Sequence, residues 1–261
     1  MDVSNKRKED SDVSPSPNKI KKRPPPIRPC TTASLDDVAF KWTAADVQDH
    51  YRLETVLHPG HHLGFLKKYP HSAVFVQCTS APPEQMLNLK PVIHRNVVQL
   101  WRVYTKGDSL SMVYEMTIAS LNDILSFRPH WTIAETAAIC HSVLSALKYI
   151  HGSLGISHGD LGVRSLRLDS DGLVKIANIG ESLLRGNHDY DKDIRDFGVI
   201  VKRIAEPNEL KLPTLADFLY RVERGESASD LLQHEFLRNS NGPEQLAHCV
   251  ITWLATRIFV P

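Results

Sequence analysis

HGSLGISHGDLGVRSLRLDSDGLVKIANIG, residues 151–180, is the stretch of sequence that decides the fold. An extended segment ends in the His-Gly-Asp of residues 158–160, and two short apolar runs follow at residues 165–169 and 173–177. Between these runs stands Asp171-Gly172, and an Asp-Gly pair flanked by alternating apolar residues is the strongest short signal for a tight β-hairpin. The stretch is therefore predicted to form an acidic loop followed by a hairpin.

This layout resembles the catalytic loop and the metal-binding segment of eukaryotic protein kinases, which carry H-R-D-L-x-x-x-x-N, a hairpin and then D-F-G. The resemblance rests on spacing, because Asp160 and Asn178 lie 18 positions apart, as the catalytic base and the metal-binding Asp do in that family. It implies that Asp160 keeps the position of the base. It also implies that Gly162 replaces a Lys, Ser165 replaces the Asn that holds a second magnesium, and Asn178 replaces the metal-binding Asp.

These replacements remove charge where phosphoryl transfer requires it. Magnesium prefers anionic oxygen ligands in octahedral geometry, whereas an amide and a hydroxyl supply oxygens without charge. One charge pair at about 4 Å contributes on the order of 4 kcal/mol gross at an effective dielectric constant of about 20, and each 1.4 kcal/mol changes a rate roughly tenfold. Little phosphoryl transfer is therefore expected, with no cofactor and no metal; ATP and magnesium enter only if the chain is an active kinase.

A further loss of charge falls at the end of a predicted strand. Residues 73–77 resemble the kinase strand that ends in V-A-I-K, so Gln77 takes the place of the Lys that pairs with the phosphates. Counting back from residues 94–98, which resemble H-P-N-I-V, places Gln85 where that Lys finds its Glu partner, with Glu84 one position away. Both members of an ion pair have then become amides, and neither leaves a charge without its partner.

The stretch between two predicted strands, residues 58–71, is rich in turn residues. It contains only Gly60 and Gly64, whose spacing does not fit the G-x-G-x-x-G loop that covers the phosphates in kinases. Three of its histidines, His58, His61 and His62, have no nearby residues that complete a metal-ligand set. We therefore predict a solvated loop rather than a phosphate or metal site.

Two large side chains are expected to face the nucleotide slot. In the kinase frame, the residue at Phe75 is a small one that lies over the adenine, and the residue at Arg167 is a Leu that lies under it. If this register holds, an aromatic ring and a guanidinium close the slot. The alternative is that each side chain turns aside.

The second half of the chain carries helix signals and a further resemblance. Thr132 and Glu135 form a capping box that predicts the start of a helix, and Gly152 is predicted to end it. Residues 193–200 resemble the kinase motif D-x-W-S-x-G, whose Asp braces the catalytic loop. Residues 227–237 resemble S-A-x-E-L-L-Q-H-x-F-L, the closing motif of PAK-like kinases.

Composition agrees with a globular, intracellular protein. The 261 residues are 42% hydrophobic and 23% charged, and the formal net charge is +1. The four cysteines lie far apart without a CxxC pair, so neither a disulfide framework nor a zinc site is suggested. No apolar run approaches the roughly 20 residues that span a bilayer, so no membrane association is expected.

The first 38 residues are predicted to be a disordered tail, because they are rich in Ser, Pro and charge and lack apolar periodicity. Two basic clusters separated by a polar linker have the form of a bipartite nuclear localisation signal. A nuclear import receptor and a nuclear or nucleocytoplasmic location are therefore expected, the alternative being a solvated charged tail. The residues of the two clusters are Lys6, Arg7, Lys21, Lys22 and Arg23.

The resemblance implies an α+β fold, a reduced two-lobed protein-kinase-like domain with a small β-rich N-lobe and a mainly helical C-lobe. Only 12 residues separate Gly180 from Asp193, so the activation segment of kinases has largely gone. The predicted organisation is a basic tail (1–38), a degenerate N-lobe (39–116), a kinase-like C-lobe (117–240) and a C-terminal extension (241–261).

The leading functional hypothesis is a pseudokinase, in which the fold acts as a scaffold or as an allosteric partner of another protein such as an active kinase. The alternative is a weak or unconventional serine/threonine protein kinase that uses Asp160 as its base. A third interpretation is a truncated copy without function. No specific nucleic-acid partner is expected.

Overall fold

The computed structural model describes residues 40–69, 71–128, 131–207 and 209–259. The predicted tail, residues 1–38, lies outside the described residues, and so do the five basic residues of its nuclear signal. The described residues form a sheet-rich amino-terminal lobe and a mainly helical carboxy-terminal lobe. This confirms the predicted α+β class.

The amino-terminal lobe is built on one sheet. Its elements are β1 (Lys41–Thr43), α1 (Val47–His50), β2 (Tyr51–His58), β3 (His61–Leu66), β4 (Ala73–Ser80), α2 (Pro83–Met86), β5 (Leu100–Lys106) and β6 (Ser109–Tyr114). The six strands lie in the order β1-β5-β6-β4-β3-β2. β1 pairs in parallel with β5, and the other neighbouring strands pair antiparallel.

Strand β3 shows that the prediction of a solvated loop over residues 58–71 is wrong. Gly60, at a φ of 75°, turns the chain between β2 and β3, and a side chain there would collide with the carbonyl oxygen of Cys78 in β4. The strand is only half buried, and pairing with β2 and β4 on both sides holds it in place. Its histidines therefore gave no hydrophobic alternation from which a strand could be predicted.

The carboxy-terminal lobe is mainly helical. Its elements are β7 (Ala119–Ser120), α3 (Leu121–Leu125), α4 (Ile133–Tyr149), β8 (Leu166–Leu168), β9 (Val174–Ile176), α5 (Ile179–Arg185), α6 (Tyr190–Ile204), α7 (Pro213–Glu223), α8 (Ala228–Leu231) and α9 (Ala247–Phe259). Short 3-10 turns lie at Glu209–Lys211, Glu235–Asn239 and Pro243–Leu246. Within the described part of the chain, none of the helices combines the length and hydrophobicity needed to cross a bilayer.

The hairpin that the opening stretch predicts is confirmed. β8 pairs antiparallel with β9, and Leu168 lies opposite Val174. Asp169 accepts hydrogen bonds from the backbone N–H groups of Asp171 and Leu173, and Gly172 has a φ of 82°. The acidic side chain and the glycine together close the turn.

Helix α4 forms the centre of the helical lobe and is buried on most of its sides. The predicted capping box is confirmed, because Thr132 accepts from the backbone N–H of Glu135 while Glu135 accepts from that of Thr132. The predicted end at Gly152 is wrong. A π-helical turn, Ile150–Leu154, continues the helix, and Gly155 ends it in the left-handed conformation that a terminal glycine favours.

The C-terminal residues are part of the hydrophobic core. Leu246, Cys249 and Val250 are buried, and α9 packs against α3. The side-chain amide of Gln245 donates to the carbonyl oxygen of Ala134 at 2.7 Å, in the first turn of α4. The predicted C-terminal extension is thus joined to the centre of the helical lobe.

Helix α5 begins directly after the hairpin and packs closely against strand β6. Gly180, in its first turn, is buried, and a Cβ there would overlap the hydroxyl of Tyr114 and the sulfur of Met112. Gly162, in the preceding loop, has no heavy atom within 4 Å of the corresponding position. Neither glycine has a positive φ, so a side chain at Gly180 is opposed by its neighbours and a side chain at Gly162 is not.

We expect Gly180→Ala to lower the free energy of unfolding by about 1–3 kcal/mol, since overpacking a tight contact forces neighbours apart. Gly162→Ala is the matched control and should change stability by less than about 0.5 kcal/mol. Urea unfolding of both variants and the unmodified chain measures the difference. Equal stabilities of the two variants would contradict the close packing of α5 against β6.

Candidate functional site

One buried carboxylate holds the loop that contains residues 158–160. Asp193, at the start of α6, accepts the backbone N–H of His158 at 2.7 Å and that of Gly159 at 2.8 Å. His151 Nε2 lies 2.8 Å from the same carboxylate. Burial alone would raise the pKa of Asp193, but the hydrogen bonds from His151 and the two amides outweigh it and lower the pKa. Asp193 therefore stays charged and braces the loop, as the resemblance implied.

His158 joins this loop to the hairpin and to α5. It is completely buried, and its Nε2 lies 2.9 Å from the carbonyl oxygen of Ala177. Its own carbonyl oxygen accepts from the hydroxyl of Ser182 at 2.8 Å and from the guanidinium of Arg185 at 3.0 Å. Burial lowers the pKa of His158, so the imidazole is neutral near pH 7.

The predicted base and metal positions differ in exposure and in partners. Asp160 is exposed to solvent. Ser165 is buried, and its hydroxyl lies 2.9 Å from both the backbone nitrogen and the carbonyl oxygen of Gly162. Asn178 adopts a left-handed conformation, at a φ of 63°, and its carbonyl oxygen accepts the Glu181 N–H in the first turn of α5. The site thus offers one exposed carboxylate together with an uncharged hydroxyl and an uncharged amide.

Gln77 has a different partner from the one that the kinase frame implied. It is buried, its side-chain nitrogen donates to the carboxylate of Glu181, and its side-chain oxygen accepts from the Tyr114 hydroxyl at 3.2 Å. Burial, assisted by the charge of Glu181, raises the pKa of Tyr114, so this hydroxyl remains a donor. Gln85 is exposed on α2. The amide at Gln77 is therefore bonded to Glu181, while Gln85 lies on the single turn of α2.

The sequence analysis missed Glu181 as a site residue. A signal was present, because Asn178 followed three positions later by Glu181 is the pattern that opens a helix, and Gly186 is a typical helix end. Helix α5 does span Ile179–Arg185, with Gly186 at a φ of 60°. This helix turns Glu181 toward Gln77, whereas the short segment after Gly180 had suggested only a missing activation segment.

Phe75 and Arg167 are in contact across the predicted nucleotide slot. The guanidinium carbon of Arg167 lies 5.2 Å from the centre of the Phe75 ring, a cation–π contact. Arg167 Nε donates to the hydroxyl of the buried Thr117 at 3.0 Å. Burial lowers the pKa of Arg167, although a guanidinium remains protonated at any physiological pH. The two side chains therefore face one another rather than turning aside.

The protein kinase domain model matches residues 68–197. The chain is 36% identical over 88 residues to serine/threonine-protein kinase PAK 5 of Rattus norvegicus, a match that covers 33% of this chain and 12% of that protein. It is 35% identical over 88 residues to serine/threonine-protein kinase PAK 4 of Homo sapiens, covering 33% of this chain and 15% of that protein.

A longer match is to serine/threonine-protein kinase pakB of Dictyostelium discoideum, at 28% identity over 215 residues. It covers 59% of this chain and 25% of that protein. In each of these three kinases, the match therefore spans a quarter of the length or less.

We expect stability to fall on acidification because His158 is buried in its neutral form. Its pKa is lowered in the folded state, so below about pH 6.5 the unfolded chain binds a proton that the folded chain does not. The contribution of His158 to stability is present above that pH and is lost as the pH falls toward the folded-state pKa, with a limiting slope of about 1.4 kcal/mol per pH unit.

Urea unfolding at about pH 7.5 and about pH 5.5 measures this loss. His158→Gln should reduce the difference between the two stabilities, whereas His141→Gln, on the exposed side of α4, should preserve it. A pH dependence that is the same in both variants would contradict the assignment to His158.

Proposed function

Because the chain belongs to the eukaryotic protein kinase superfamily, we propose that it is a pseudokinase. In this proposal the kinase fold acts as a scaffold or as an allosteric partner of another protein, such as an active kinase. The observation that carries the proposal is the contact between Phe75 and Arg167 across the nucleotide slot.

The separation of these two side chains is too small for a base to lie between them. A planar ring with a contact on each face needs about 7 Å, because each carbon contact requires about 3.5 Å. The guanidinium carbon of Arg167 and the centre of the Phe75 ring are only 5.2 Å apart. Admitting a base would break the Phe75–Arg167 contact and disturb the hydrogen bond from Arg167 to Thr117.

Charge also disfavours nucleotide binding at the phosphate end of the cleft. Gln77 replaces the cation that would attract phosphate, and its side-chain nitrogen donates a hydrogen bond to the carboxylate of Glu181. An anion beside this position repels phosphate oxygens, and the effect is stronger away from bulk water. The uncharged Ser165 and Asn178 offer magnesium no compensating anionic ligand.

The rest of the domain supports a role that depends on the fold rather than on catalysis. Helix α4 is buried on most of its sides, and α6 buries a full apolar stripe that includes Phe197. The core that would support a binding surface is one continuous cluster of buried apolar side chains.

A weak serine/threonine kinase is the second candidate, and one observation favours it. The loop that carries Asp160 is braced by Asp193, and the Asp160 side chain is exposed, so a base could reach a substrate hydroxyl. In this candidate Asp160 acts as the base, with ATP and magnesium supplied from solution. The PAK 5, PAK 4 and pakB relatives are named as serine/threonine kinases, which favours a serine or threonine acceptor if the chain is active.

Thermal unfolding of the full chain with and without millimolar ATP and magnesium tests the closed slot. We expect no shift, whereas a ligand present at about 100 times its Kd would add about 2.7 kcal/mol to the stability. The double variant Phe75→Ala/Arg167→Leu should gain a shift with adenosine. Arg164→Leu, an exposed arginine in the same loop region, is the control and should gain none.

A magnesium-dependent shift of the unmodified chain, or no response of the double variant to adenosine, would count against the closed slot. Transfer of labelled phosphate to a mixed peptide substrate is measured in parallel, for the unmodified chain and for Asp160→Asn. We expect both at background. Transfer that disappears in Asp160→Asn would establish the kinase candidate instead.

We also propose that the basic tail directs the protein to the nucleus through an import receptor. A fusion to a reporter too large for passive diffusion should accumulate in nuclei, and Lys21→Ala/Lys22→Ala/Arg23→Ala should prevent this accumulation. The control Lys41→Ala/Lys67→Ala/Lys68→Ala removes the same charge from exposed positions of the folded domain. It should remain nuclear, because the basic clusters of the tail are unchanged. Nuclear accumulation of the tail variant would rule out the signal.

A further inference from the structure

Glu135, His248 and Cys249 form a compact cluster of metal-ligating side chains, far from the cleft. Glu135 lies in the first turn of α4, and the other two lie in the first turn of α9. His248 Nε2 is 3.3 Å from Glu135 Oε1 and 3.3 Å from Cys249 Sγ, and Cys249 Sγ is 4.0 Å from Glu135 Oε1. One oxygen, one nitrogen and one sulfur thus form a triangle, which we call the Glu-His-Cys triangle.

The edges of this triangle fit a tetrahedral zinc ion. Zinc bonds of about 2.0–2.3 Å to oxygen, nitrogen and sulfur, at tetrahedral angles, place the ligand atoms roughly 3.3–3.6 Å apart. The two edges that meet at His248 are already at 3.3 Å, and the third needs a change of less than about 1 Å. Three protein ligands and one water are a common zinc environment.

The oxygen that faces the triangle is held in place by the other half of its carboxylate. Glu135 Oε2 accepts the backbone N–H and the hydroxyl of Thr132, each at 2.8 Å, which leaves Oε1 directed at the triangle. Hydrogen bonds of this kind orient ligands in established metal sites. Glu135 and Cys249 are buried, while the side chain of His248 is 60% exposed, so an ion can enter from the surface.

A cation nitrogen already touches all three ligand atoms. Arg128 Nη1 lies 2.9 Å from Glu135 Oε1, 2.9 Å from Cys249 Sγ and 3.2 Å from His248 Nε2. The triangle is therefore arranged around positive charge. The side chain of Arg128 is 28% exposed, and its guanidinium carbon lies 5.2 Å from the centre of the Trp131 ring.

We propose that the Glu-His-Cys triangle is a zinc site, in which Zn²⁺ and the Arg128 guanidinium compete for the same three ligand atoms. Binding the metal releases the thiol proton of Cys249 to solvent, displaces Arg128 and admits one water as the fourth ligand. The bound ion would tie α9 to the first turn of α4. The absence of a CxxC pair had suggested no zinc site, but these ligands come from helices over a hundred positions apart.

Zinc binding by the untagged, metal-free full chain, measured in competition with a chromogenic chelator, tests the proposal. One equivalent should bind, and His248→Asn and Cys249→Ser should each weaken it at least about tenfold. His248 is largely exposed, so His248→Asn leaves the fold intact even if Cys249→Ser does not. The matched controls are His141→Asn, on the exposed side of α4, and Cys78→Ser, in the sheet lobe; neither should alter the affinity.

Arg128→Gln separates a metal site from a purely structural cluster. Removing the competing cation should tighten zinc binding severalfold and increase the zinc-dependent rise in Tm, although it breaks the ion pair with Glu135. Zinc affinity that is unchanged or weaker in this variant would overturn the proposal. So would the absence of binding, or binding that His248→Asn and Cys249→Ser leave unaltered.

Discussion

The buried carboxylate of Asp193 is the constraint on which the site depends. It accepts hydrogen bonds from two consecutive amides of the loop and contacts His151, and such bonds to a charged group contribute about 1.5–3 kcal/mol each. Losing them would leave the buried amide of His158 and the partly buried amide of Gly159 without acceptors. The geometry of this loop therefore depends on Asp193, whether or not the cleft carries the charges of an active kinase.

Polar side chains in the cleft are hydrogen-bonded to one another. The amide of Gln77 is bonded to Glu181 and to Tyr114, and the guanidinium of Arg167 is shared between Phe75 and Thr117. A cleft that binds nucleotide needs cations left available for phosphate and space for a base. In the proposed pseudokinase, internal contacts occupy these groups, and each contact would have to break before a nucleotide entered.

The C-terminal helix adds a second centre of polar contacts at the other side of the helical lobe. Arg128 links Glu135, at the start of α4, to His248 and Cys249 at the start of α9. Because Glu135 also caps α4, these contacts join α9 to the central helix of the lobe. A cation at this position, here the guanidinium of Arg128, holds the first turn of α9 against the first turn of α4.

The sequence by itself determined the hairpin, the capping box at Thr132 and the bracing carboxylate, because each depends on spacing within one element or on a motif read residue by residue. It also contained a helix signal between Asn178 and Gly186, from which α5 can be predicted. Strand β3 could not be predicted from the sequence, because it is held by pairing with β2 and β4 rather than by a pattern of its own side chains. Tertiary structure alone decided the partner of Gln77, which is 104 positions away, and the approach of Cys249 to Glu135 across 114 positions. Side chains on separate elements meet only through the packing of those elements, and local spacing carries no record of that packing.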